Sequence, residues 1–166
     1  MNSFSPISII SFITLVLGQV LIFNHLHIFG SINPIIYLLF FVFYRFESNQ
    51  TFLILISFLL GFSVDILSQS GGAHTIASLT IGFLRPLIIK YAFGVTVEKP
   101  QSYFSDSRTL NKLIFLILLI AIHHLIYFSL VYFSFDSILL IIKNMFLTLL
   151  FSLILIGITL SFYPNK

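Results

Sequence analysis

The chain has 166 residues, of which 58% are hydrophobic and only 8% charged, against roughly a quarter charged in an ordinary soluble domain. So few charges cannot cover a soluble surface of this size, which leaves lipid as the solvent. A net charge of +3 is too small to point to nucleic acid, and without Cys there is neither a disulfide framework nor a thiolate metal site.

In chain order, the first apolar run spans about Ser5 to Phe23. No Lys or Arg precedes it, and Asn24-His25-Leu26-His27 follows it where a secretory leader would have small residues. It therefore reads as a retained membrane helix. The second run, about Ile32 to Phe46, opens with Asn33-Pro34, which suits a helix start with Asn33 as cap and Pro34 as first helical residue. Fifteen or so helical residues reach only about 22 Å, short of a ~30 Å hydrocarbon core. This element must tilt, thin the bilayer, or be a broken or re-entrant piece lying against protein. The third run is about Thr51 to Leu67, the fourth about Ala73 to Phe93 with Arg85-Pro86 inside it, the fifth about Leu110 to Phe133 and the sixth about Ser137 to Phe162. The expected fold is an all-α integral membrane protein: one domain over residues 1–166, built as a six-transmembrane-helix bundle.

Six crossings place both termini on one side. With cytoplasmic termini, that side carries Arg45, Lys90, Lys99, Arg108, Lys112 and Lys166, while the outer loops carry only His25, His27 and Asp136. Lys143 lies inside the sixth run and can snorkel outward. The asymmetry follows the positive-inside rule. The longest polar segment runs from Tyr91 to Thr109, and no internal repeat of the inverted-repeat transporter kind is present. With no Trp, the seven Tyr must supply any aromatic belt at the interface.

Charges at membrane depth cost at least about 2.5 kcal/mol each, so they direct the search for function. Asp65 lies near the outer end of the third run. It reads either as a contact for a partner or polar ligand, or as a carboxylate held within the fold by Ser68, Gln69, His74 or a helix end. Gly61, one turn earlier on the same face, permits close approach of a neighbouring helix. Arg85 lies about 18 Å along the fourth run, too far in depth for a direct pair with Asp65. It suits carbonyls freed by the Pro86 kink, or an inward snorkel. Ser68-Gln69-Ser70-Gly71-Gly72 reads as a tight turn. His74 has no second ligand at metal spacing. His123 and His124 point about 100° apart on a helix and cannot share one metal; one of them is expected to face the bundle near Arg85 in depth. No nucleophile and base are assembled by spacing, and no cofactor motif is present.

The stretch Gly61-Phe62-Ser63-Val64-Asp65-Ile66, then Gly72-Ala73-His74 and Gly82-Phe83-Leu84-Arg85-Pro86, resembles the rod-shape-determining membrane protein MreD family. So does Gln19-Val20-Leu21 followed by Ile32-Asn33-Pro34. The specific motifs lie in Gln19 to Pro86; the last two runs resemble the family in hydropathy alone. The resemblance implies a non-enzymatic scaffold of the bacterial inner membrane, supporting an MreC-like protein and peptidoglycan synthesis by RodA and a penicillin-binding protein. It also implies a fold similar to the substrate-binding subunits of energy-coupling-factor transporters, with Asp65, Gly61, Gly72, His74, Arg85 and Pro86 as a polar fold-and-contact cluster. Asn33, Pro34 and His123 are secondary candidates. The alternative is a small-molecule-binding membrane subunit of a vitamin-type transporter, which would hold an outward pocket lined by Asp65, His74 and polar loop residues.

Overall fold

The computed structural model describes residues 6–29, 32–45, 49–94, 103–105, 108–133 and 135–163. Six α-helices appear in these segments: α1 (Pro6–Leu21), α2 (Leu39–Phe43), α3 (Gln50–Ser68), α4 (Ala73–Phe93), α5 (Thr109–Tyr132) and α6 (Ile138–Ser161). Among the described residues there is no strand, only an isolated bridge between Ile28 and Ile32. Helices α3 to α6 are each long and apolar enough to cross a membrane, as their unbroken apolar runs require. Each packs on the next in the chain, and α1 packs on α2 and α3.

The helix surfaces are arranged for lipid. On α6, Leu139, Ile142, Phe146, Leu150, Ile154 and Ile158 are exposed, while Thr148, Ser152, Ile156 and Leu160 are buried at four-residue spacing. Small polar groups thus point inward and large apolar ones outward. In water that face would be an error; in lipid it is what close helix packing needs.

The second run is where the sequence reading and the structure part. Only Leu39–Phe43 is helical. Residues 32–36 are non-helical and 37–38 form a turn, so Asn33-Pro34 does not start a helix, and the end of the run at Phe46 lies outside the described residues. Yet this segment is the centre of the molecule. Ile35, Tyr37, Leu38, Phe41 and Val42 are each no more than 2% exposed, and Phe12 of α1 stacks edge-on against Phe40. The physical reason lies in its backbone amides. Ile35 N donates to Ser152 Oγ of α6 at 2.9 Å and Ile36 N to Gln19 Oε1 of α1 at 2.7 Å. Bonds to side chains replace the intrahelical ladder, so the chain stays open until Leu39. Such backbone is tolerated at membrane depth only when protein surrounds it.

Helices α3 and α4 form the tightest hairpin. Their connection carries three residues with positive φ, Gln69 (54°), Gly71 (68°) and Gly72 (93°), which is why glycines sit there. At Gly61 a methyl group would lie 2.5 Å from the His74 carbonyl oxygen and 2.6 Å from Thr75 Cα. Both neighbours are backbone and cannot swing aside.

Gly61→Ala should therefore lower stability by about 1–3 kcal/mol, the usual cost of overpacking. Gly157→Ala, where no atom lies within 4 Å, should be neutral or raise it by up to about 1 kcal/mol. Thermal unfolding of the two variants in the same detergent checks the contrast.

Candidate functional site

The buried polar groups organise around helix ends and the open segment. Asp65 sits in the last turn of α3 and reaches across the hairpin to the start of α4. Its Oδ1 accepts from His74 N at 3.1 Å and Ser70 Oγ at 2.5 Å, and its Oδ2 accepts from Thr75 N at 2.7 Å and Thr75 Oγ1 at 2.5 Å. The residue preceding α4 is Gly72, which has no side chain to offer. Asp65 supplies the missing cap, satisfying the second and third amides of α4 and placing negative charge at the positive end of its dipole. Of the options the sequence left for Asp65 within the fold, it is a helix end that holds it.

Arg85, only 2% exposed, does the converse at the end of α2. Its Nε donates to the Phe41 carbonyl at 3.1 Å and its Nη1 to the Arg45 carbonyl at 3.4 Å, while Nη2 donates to the Tyr44 carbonyl. The guanidinium also lies 5.6 Å from the centre of the Tyr44 ring, a cation–π distance. The sequence offered Arg85 either carbonyls freed by Pro86 or an inward snorkel; the carbonyls it meets lie at the end of α2 and run on to Arg45. Pro86 has no N–H for the carbonyl of Gly82 four residues back, but Gln50 of α3 takes its place, donating from Nε2 to Gly82 O at 2.7 Å and Phe83 O at 3.3 Å. Pro86 itself is exposed.

Gln19, fully buried in α1, clamps the open segment from the other side. Besides accepting from Ile36 N, it donates to the Pro34 carbonyl at 3.1 Å and to Asn24 Oδ1 at 2.8 Å. Asn24 in turn donates to Ser68 Oγ at 2.7 Å. Asn33 does not cap a helix; its Oδ1 accepts from His27 N at 3.0 Å and meets His27 Nδ1 at 2.9 Å.

A second cluster surrounds the Tyr37 hydroxyl. His123 Nε2 lies 2.7 Å away, His74 Nδ1 3.1 Å, and Ser78 Oγ donates at 3.1 Å. Tyr127 packs on His74 with ring centres 4.4 Å apart. Both His123 and His124 are fully buried. The first belongs to the level of Ser78, nearly two turns from Arg85 along α4, which corrects its expected depth. His124 Nε2 lies 3.3 Å from Ser152 Oγ, the atom that accepts from Ile35 N. No group of three His, Asp or Glu side chains among the described residues is placed to hold a metal ion.

The site thus draws together Asp65, Gly61, Gly72 and His74 at one end of the bundle, and Arg85 and Pro86 in the middle of α4. Tyr37, Gln50 and Ser152 escaped the sequence reading, and Gln19 entered it only as part of a motif. Gln19 and Ser152 had a weak signal: each is a polar residue inside a mostly apolar helix, as are several others that are not used this way. Two cavities open beside the cluster. One, of about 260 Å³, is bordered by Asn24, Asn33, Ser68, His74, Tyr127 and Thr148 among others. A wider cleft of about 470 Å³ adjoins it over the Gln69–Ala73 turn, and Ser70 and Tyr127 border both.

The chain matches no protein-family model, no curated protein and no solved structure.

The Pro86–Gln50 relation is measurable as a coupling. Gln50→Leu alone should cost about 1–3 kcal/mol, since it strands the Gly82 carbonyl. In a Pro86→Ala background the helix regains its own amide for that carbonyl, and Gln50→Leu should cost under half as much. A double-mutant cycle on thermal or denaturant unfolding in detergent reads this directly; equal costs in both backgrounds would contradict it.

Proposed function

We propose that the chain is a non-enzymatic membrane scaffold of the MreD type, serving the bacterial cell-elongation machinery beside an MreC-like protein, RodA and a penicillin-binding protein. One observation supports the reading. Residues that carry the resemblance support two parts of one bundle: Gln19 and Arg85 hold the segment 32–45, while Gly61 admits the neighbouring helix and Asp65 caps α4 next to His74. Polar groups spent on building a rigid bundle, under a surface of exposed Leu, Ile and Phe, suit a protein that works by contact.

In this reading the chain crosses the inner membrane six times with cytoplasmic termini, in a fold like that of energy-coupling-factor substrate-binding subunits. The length argument favours a second crossing through 32–45. Five residues of open chain (32–36) reach at most about 17 Å, the turn at 37–38 about 4 Å and the five of α2 about 8 Å. That approaches a ~30 Å core, which a helix of the same length would not. The vitamin-type transporter reading is favoured by the smaller cavity, which lies against His74 and polar loop residues. Its volume of about 260 Å³ falls below the ~300–1,000 Å³ of common ligand pockets, and we rank it second.

Affinity purification from cells in mild detergent should recover an MreC-like protein, RodA and a penicillin-binding protein with the wild-type chain. Asp65→Ala should reduce that recovery severalfold, through loss of the α4 cap. A wild-type chain that retains none of these proteins would sink the scaffold reading. Topology has its own test, because the chain contains no Cys. In intact spheroplasts, Gln69→Cys should react with a membrane-impermeant maleimide and Lys90→Cys should react only after lysis. The reverse pattern would invert the assigned orientation.

A further inference from the structure

We propose that the cavity beside His74 is a binding site for a small, uncharged, hydroxyl-rich molecule of about monosaccharide size, held by a hydrogen bond from His74 Nε2–H. The proposal goes beyond the scaffold reading and requires neither reading of function.

The proton position follows from accounting at Tyr37. Its hydroxyl has one hydrogen and two lone pairs, and three groups meet it. Ser78 donates to it and occupies one lone pair. Of His74 Nδ1 and His123 Nε2, one must donate and the other accept. The far nitrogen of His123, Nδ1, is buried with no partner among the described residues. A buried N–H without an acceptor is rarer and more costly than a buried lone pair without a donor. His123 therefore carries its proton on Nε2 and donates to Tyr37, and Tyr37 donates to His74 Nδ1. Neutral His74 then has its proton on Nε2. That nitrogen makes no hydrogen bond within the described residues, although the residue is only 4% exposed and borders the cavity.

The rest of the wall defines the ligand. Asn33 and Tyr127 also border the cavity, and the Asn33 amide nitrogen and the Tyr127 hydroxyl make no hydrogen bond within the described residues. Tyr127 and Phe128 contribute aromatic rings, on which the C–H face of a sugar packs well. Among the described residues, no Asp, Glu, Lys or Arg borders the cavity. The nearby Asp65 carboxylate already accepts two hydrogen bonds on each oxygen. Nothing there would neutralise an anion or a cation, which selects for a neutral molecule rich in acceptor oxygens.

The test uses the full chain with ¹⁵N-labelled histidine in lauryldimethylamine oxide, a detergent without a sugar headgroup. D-Glucose and myo-inositol are the probes, and glucose 6-phosphate is the charged control. His74 should carry its proton on Nε2, and its resonance should shift saturably with at least one neutral probe. Glucose 6-phosphate should bind at least tenfold more weakly than that probe. Tyr127→Phe keeps the ring on His74 and removes a hydroxyl that nothing else in the described chain uses; it should weaken binding about fivefold. Any one of four results overturns the proposal: a proton on His74 Nδ1, no saturable shift with either neutral probe, equal or tighter binding of the phosphate, or unchanged binding in Tyr127→Phe. Occupancy read at His74 is separate from partner recovery, so its failure leaves the scaffold reading standing.

Discussion

A peptide group buried in hydrocarbon without a partner costs several kcal/mol. This protein carries open chain through the centre of its helical bundle, and most of its polar chemistry answers that cost. Gln19 and Ser152 accept from the amides of Ile36 and Ile35, Gln19 also donates to Pro34, and Arg85 gathers the carbonyls at the end of α2. The neighbouring helices contribute side chains where a continuous helix would have used its own backbone. Position in the bundle follows: α1, α4 and α6 must all face the segment, because each carries a group that the segment needs.

The two buried charges among the described residues obey a common rule. Asp65 lies against the amide end of α4 and Arg85 against the carbonyl end of α2. Each thus meets the partial charge that opposes its own, and each is also hydrogen-bonded there, Asp65 accepting four times and Arg85 donating through Nε, Nη1 and Nη2. The charges stabilise helix termini, which explains how both survive at depth without neutralising one another. Asp65 also sits near the unfavourable end of its own helix, α3. Four hydrogen bonds to the carboxylate outweigh that effect, which is worth about 0.3–1 kcal/mol.

Much of this was legible in the sequence. The helices α3 to α6 differ from the apolar runs by no more than a residue at either end, because nothing but a helix satisfies twenty lipid-facing residues. The doubt about the second run was legible too, since its length fell short. Its form was not. Ile35 to Phe43 is the same unbroken apolar run whether it coils or stays open, and the choice is made by Gln19 and by Ser152, which is 117 residues from its partner. Hydropathy carries no information on such pairings. The same gap hid the partners of Arg85: a guanidinium on exposed carbonyls was one of two expectations, but the carbonyls it meets are those of Phe41, Tyr44 and Arg45, while the one freed at Pro86 goes to Gln50.

The bond between Ile35 N and Ser152 Oγ ties the order of synthesis to the state of the membrane. A ribosome emits residue 35 long before residue 152, so the centre of the bundle is laid down before its last hydrogen-bond acceptor exists. Until α6 arrives, the nascent chain must keep that amide wet, shelter it against another surface, or hold the segment outside the hydrocarbon. The C-terminal helix, which shows lipid most of its face, is therefore also the closing stitch, and a chain cut short before it would carry its defect at the core.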